Sequence, residues 1–167
     1  MELWDAYNDR FEKIENLTLV RGEEDLIPDG VYHLVCDFTV RHSDGTYLLM
    51  QRDPRKCYPL MWEASGGGSA LQNESPMECG KRELFEETGI KSENLKEMGR
   101  EVNPVTRSAY VDFFCETDCD KESIVLQDGE TVDFKWVTKE ELMNMSDEEL
   151  VTKRMFKFID ELKDMLS

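Results

Sequence analysis

The chain has 167 residues, the usual size of one folded domain, and 40% of them are hydrophobic, enough to bury a sizeable core. Twenty Lys and Arg stand against 37 Asp and Glu, a formal net charge of −17. Binding along a nucleic-acid polymer needs a surplus of cations, and an anionic membrane surface repels such a chain, so both roles are set aside. Carboxylates that hold a divalent cation, with the cation in turn carrying an anionic substrate, remain open.

The N-terminus, Met1 to Asp5, has no basic region followed by an apolar run, and no stretch approaches the roughly 18 to 20 apolar residues of a membrane helix. A cytoplasmic protein is expected. The five cysteines, Cys36, Cys57, Cys79, Cys115 and Cys119, are odd in number and scattered, which fits reduced thiols. Cys115 and Cys119 read as small hydrophobes, since no second pair stands at zinc-site spacing.

Residues 1–30 read as a turn-rich acidic extension, with nine acids and three bases. Val31 to Val40, rich in β-branched and aromatic residues, predicts a strand. Ser43-Asp44-Gly45 is a hairpin turn, Thr46 to Gln51 the returning strand, and Asp53-Pro54 its end. A loop with Pro59 and three consecutive glycines, Gly66 to Gly68, follows. Ser75-Pro76-Met77-Glu78 is a capping box with proline at the first helical position, and Gly89 is the stop, so a helix is expected over 76–88. Strands are expected at 105–116 and 132–137. Two further capping boxes, Thr138 to Glu141 and Ser146 to Glu149, predict C-terminal helices within 139–167. In the last, Val151, Met155, Phe158, Leu162 and Met165 form a stripe that packs on the core. The alternation of strands and helices predicts a single α/β domain.

The chemistry concentrates between Gly66 and Ile90. Glu83, Glu86 and Glu87 are spaced by three and four, so they share one helical face. Glycines just before the helix let backbone approach a ligand closely and turn a carbonyl towards a metal. Arg82 lies four residues from both Glu78 and Glu86, where it can orient carboxylates. Such an oxygen-rich set suits a hard cation, Mg²⁺ first and Mn²⁺ as a substitute.

Gly68, five residues, Glu74, seven residues, then Arg82-Glu83-Leu84-Phe85-Glu86-Glu87-Thr88-Gly89-Ile90 resembles the complete signature of the Nudix hydrolase family. The resemblance implies an α/β/α sandwich with a mixed central sheet. It implies that Glu83, Glu86 and Glu87 bind the metals with the Gly68 carbonyl, and that Arg82 orients a carboxylate. The implied reaction is attack of water on a diphosphate linking a nucleoside to some group X, with Glu86 or Glu130 as the general base. Leu48 to Lys56 is also similar to a segment of isopentenyl-diphosphate isomerases, in which an Arg and a Lys at the positions of Arg52 and Lys56 hold the diphosphate. Isomerases place a cysteine shortly after the position of Trp62, where this chain has Glu63-Ala64-Ser65-Gly66, so hydrolysis is the preferred expectation. A ligand-sensing domain without catalysis is a third reading, although all the box carboxylates are kept. The expected partner is a small-molecule diphosphate, and a homodimer is a further expectation.

Overall fold

A computed structural model describes residues 1–151 and 153–166. The centre is strand β3 (His33–His42), followed in chain order by β4 (Tyr47–Arg52), β5 (Trp62–Glu63), β6 (Gly66–Ser69), helix α1 (Pro76–Thr88), β7 (Leu95–Asn103), β8 (Ser108–Thr117), β9 (Thr131–Val137), α2 (Lys139–Met143) and α3 (Asp160–Lys163). A separate hairpin, β1 (Leu3–Tyr7) with β2 (Lys13–Val20), precedes them.

β3 runs parallel to β8 from His33↔Ser108 to His42↔Thr117, while β7 is antiparallel to β8, so the sheet is mixed. At its start β3 also pairs with β6, from Val35↔Ser69 to Phe38↔Gly66, and at its end it meets β4 through Arg41↔Tyr47. β4 carries β9 and β5. Side chains alternate across each strand with the period of two. Leu34, Cys36, Phe38 and Val40 with Ala109, Val111, Phe113 and Cys115 face α1, which buries Cys79 and Leu84 against them. Tyr47, Leu49 and Phe114 face the other way, onto Leu142, Met155, Phe156 and Leu162. The architecture is the expected α/β/α sandwich in one domain.

α1 begins and ends where the sequence predicts. Ser75 Oγ accepts from Glu78 N at 3.1 Å, Glu78 Oε1 accepts from Ser75 N at 3.1 Å, and Gly89 closes the helix at φ 80°. The Thr138–Glu141 box likewise caps α2.

Five regions differ from the sequence expectations. The expected glycine loop contains the short strands β5 and β6, because Gly66–Ser69 pairs with β3 and Trp62–Glu63 with β4. The acidic opening holds the β1–β2 hairpin, which buries Trp4, Ala6 and Leu19 in a small core of its own with Ile27. β7 was not expected; its outward charges and a bulge between Glu97 and Gly99 break the alternation, and the strand expected from 105 begins at Ser108. The Ser146–Glu149 box caps no helix. Glu149 Oε1 accepts from Ser146 N and Oγ, but Trp62 N donates to Glu149 O and Val151 N to Trp62 O, which draws the chain into strand-like pairing with β5. The long terminal helix is instead a 3-10 turn, Arg154–Phe158, and the single turn of α3, separated by Ile159 in an extended conformation. This break lets Met155, Phe156, Ile159 and Leu162 all enter the core while Arg154 reaches Asp112 on β8. No described helix is long and apolar enough to cross a membrane.

Candidate active site

β6 consists almost wholly of glycine because the carboxylates of α1 lie against it. A Cβ at Gly68 would stand 2.5 Å from Glu83 Cδ, and one at Gly66 would collide with Glu87 Oε2. Only glycine permits that approach. Gly67 N donates to Glu87 Oε2 at 3.2 Å, and the Gly68 carbonyl accepts from Cys79 Sγ at 3.6 Å. Glu87 is therefore pinned to the strand, while Glu83, lying against Gly68, is held by Arg82 Nη1 at 2.8 Å.

Glu87 is 3% exposed. Burial, then the charges of Glu63 and Glu83, push its carboxyl well above the ordinary range, against the weaker opposing effects of Lys56 and the Gly67 N–H. Burial also raises Glu83, with Arg82 opposing and Glu86 and Glu130 adding to the rise. Two adjacent acids whose ionised forms are disfavoured by their surroundings constitute an electrostatic demand for a cation. Carboxylates plus a peptide carbonyl are an all-oxygen donor set, which fits a hard divalent ion.

Arg82 organises the cluster. Its Nε and Nη2 grip Glu74 at 2.7 and 2.9 Å, its Nη1 reaches Glu83 at 2.8 Å and Glu86 at 3.1 Å, and Nη2 also bonds Ser69 O at 3.2 Å. The fork holds Glu74 ionised, since its hydrogen bonds outweigh the burial that would raise that carboxyl. Among the described residues no three His, Cys, Asp or Glu side chains converge at ligating distance; Arg82 and the Gly67 N–H hold the three box glutamates at separate points of the cleft wall.

The cleft has a volume of about 280 Å³, and its other wall carries Lys56, Glu130, Gln127, Glu2 and Arg21. Lys56 Nζ is paired with Glu130. Across Gly67, Gly68 and Ser69 lies a second cavity of about 470 Å³, lined by Asp37, Arg52, Tyr58, Glu63, Tyr110 and Arg154 among others. Arg52 there is paired with Glu63 and donates from Nε to Cys57 O at 2.6 Å. At its base Arg154 bonds Asp112 at 2.6 and 2.7 Å and Asp37 at 3.1 Å, and its guanidinium lies 3.9 Å from the centre of the Tyr110 ring. Burial and Asp112 push Asp37 up to about 7, with Arg154 opposing. A larger cavity of about 520 Å³, between β7 and the C-terminal turn, contains none of the box residues.

The sequence profile of the NUDIX domain matches residues 31–162, almost the whole sandwich. The chain belongs to the Nudix hydrolase family. An uncharacterized Nudix hydrolase of Listeria monocytogenes is 32% identical over 144 residues, covering 85% of this chain and 83% of that protein. A second, from Listeria innocua, is 31% identical over the same coverage. Among solved structures, DR0079 of Deinococcus radiodurans superposes with a TM-score of 0.70 at 21% identity, covering 85% of this chain and 86% of its own. The MutT protein of Methanosarcina mazei superposes at 0.62 with 22% identity, covering 80% and 94%. At those identities the likeness speaks for the Nudix fold.

In Nudix terms, Gly68, Glu83, Glu86, Glu87 and Arg82, which one stretch of sequence supplies, meet Lys56 and Glu130 from elsewhere in one cleft. Arg52 opens onto the adjoining cavity instead. Of the aromatic residues near the site, Tyr58 lines that cavity, whereas Trp62 and Phe114 pack on the C-terminal layer. No cysteine lines either cavity among the described residues, and Cys79 is buried beneath β6. Arg21, Asp37 and Arg154 were not singled out from sequence. An acid inside the apolar run Val35 to Val40 was a usable signal for Asp37; Arg154 and Arg21 had none, because distant segments bring them to the site.

Proposed function

We propose that the protein is a Mg²⁺-dependent Nudix hydrolase that splits a nucleoside diphosphate linked to a group X into a nucleoside monophosphate and phosphorylated X. The observation that carries this reading is the packing of the Glu83 and Glu87 carboxylates against the glycines of β6, with Glu87 buried and Glu83 half-buried at the floor of an open cleft. Glu83, Glu86, Glu87 and the Gly68 carbonyl would hold the ion, with Mn²⁺ as a substitute. Bound there, it would neutralise the diphosphate and lower the pKa of water.

The chain's own groups divide the remaining work. Arg82 fixes Glu83 and Glu86 through a shared nitrogen, so the donor set is oriented before substrate arrives. Lys56 exchanges Glu130 for a phosphoryl oxygen, and Arg52 does the same from Glu63 on the side of the larger cavity. Glu130, once released, or Glu86 would accept a proton from the attacking water. Group X or the nucleoside occupies the 470 Å³ cavity, where Tyr58 offers a ring face and Asp37 an acceptor.

The test is a panel of nucleoside diphosphate derivatives incubated with Mg²⁺ and with EDTA. The reading expects at least one compound to yield two monophosphorylated products with Mg²⁺ and none with EDTA. Absence of metal-dependent turnover across the panel, with proton exchange into isopentenyl diphosphate, would replace it by the isomerase reading.

A further inference from the structure

The β1–β2 hairpin lies outside residues 31–162, the stretch matched by the family profile, yet it forms part of the cleft. It is fixed to the loop before α1 by several bonds. Gln72 N donates to Leu3 O at 3.0 Å, Asn73 N to Asp5 Oδ2 at 2.8 Å, and Gln72 Nε2 to Thr18 Oγ1 at 3.3 Å. Tyr7 and Tyr32 exchange backbone bonds at 2.9 Å, and the Trp4 ring stacks on His33 at 4.2 Å. The hairpin is therefore docked on the same loop that delivers the box, and the side chains at its open end are held in place relative to Glu83 and Glu86.

Those side chains are Glu2 and Arg21. Arg21 N bonds Glu2 O at 3.0 Å, Arg21 Nη1 bonds Glu2 Oε2 at 2.8 Å, and Trp4 Nε1 donates to Glu2 Oε1 at 3.0 Å. Glu2 is thus a bracket between a buried indole and the guanidinium. Only Nη1 of Arg21 meets a protein acceptor among the described residues, and the side chain is 62% exposed while lining the cleft. The contrast with Arg82 is instructive, since that guanidinium is committed on Nε, Nη1 and Nη2 to protein oxygens. Arg21 combines a fixed base with donors to spare, on the wall that also carries Lys56.

We infer that Arg21 binds a phosphoryl oxygen of the diphosphate together with Lys56, so that the N-terminal hairpin completes the substrate site. This rests on the hydrolase reading above. Two cations contributed by separate segments can hold both phosphoryl groups while the box glutamates face them from the helix. A structural role confined to the Glu2 pair is the competing account.

The experiment is calorimetric titration of the full chain with methylenediphosphonate in excess Mg²⁺, a diphosphate whose carbon bridge cannot be hydrolysed. Arg21→Ala is expected to weaken binding about tenfold or more, and Arg21→Lys to recover part of the loss. Arg10→Ala serves as the control, because it removes the same charge from the tip of the same hairpin at a residue 79% exposed and outside the cleft; it is expected to bind as wild type does. Unchanged affinity in Arg21→Ala, or an equal loss in Arg10→Ala, overturns the assignment and leaves the hydrolase reading standing. Failure of the wild-type chain itself to bind overturns both.

Discussion

Burying Glu87 beside Glu83 opposes folding in the absence of a cation. The acid in the folded chain holds its proton above the pH at which an unfolded glutamate, with a pKa of about 4.3, releases it. The folded state thus binds more protons than the unfolded one through that window, and stability falls as pH rises across it. Below the unfolded value both states are protonated and the penalty vanishes. Glu87→Gln removes the ionisation while keeping an acceptor for the Gly67 N–H. In EDTA at pH 8 the variant should melt higher than wild type by about 2 °C or more, and the two should converge near pH 4. A lower melting temperature for the variant at pH 8 would contradict the burial argument. The same substitution should abolish turnover, a trade of activity for stability of the kind strained sites make.

At the scale of elements, α1 has the task of presenting its carboxylates at a fixed height over β6, and its start is set by the Ser75–Glu78 box. Ser75→Ala leaves the Glu78 N–H without its partner and should cost about 1 kcal/mol, lowering the melting temperature by about 2–4 °C. Thermal denaturation followed by circular dichroism checks this; an unchanged midpoint would mean that tertiary packing alone defines the helix start. α1 was readable from sequence because its caps and its proline are local signals. β6 was not, since glycine carries no strand preference and its pairing with β3 follows from what approaches it on the other side. The C-terminal stripe misled for a related reason. Its spacing suits a helix, but Ile159 is extended and Arg154 is drawn to Asp112 and Glu101 on the sheet, contacts that no local pattern announces.

For the molecule as a whole, the net charge of −17 is spread unevenly. The segment from Gly68 to Ile90 holds five acids and two bases, whereas residues 1–30 hold nine and three. Most of the excess therefore lies outside the box and favours solubility. Inside the cleft the balance is set by Arg21, Lys56 and Arg82 against five glutamates. The box half of the site was legible because one loop and one helix carry it in a single stretch. The opposite wall was legible in Lys56 and Glu130 and the adjoining cavity in Arg52, whereas Arg21, Asp37 and Arg154 enter through the docking of the hairpin, β3 and the C-terminal turn.

The claim on which the rest depends is that the acids held against β6 form a cation site. Titration of the metal-free chain with Mn²⁺, read by loss of the free-ion paramagnetic resonance signal, tests it directly. Wild type should take up Mn²⁺ and release it to excess Mg²⁺, and Glu83→Gln should bind about tenfold or more weakly. Equal uptake by wild type and the variant would contradict the claim.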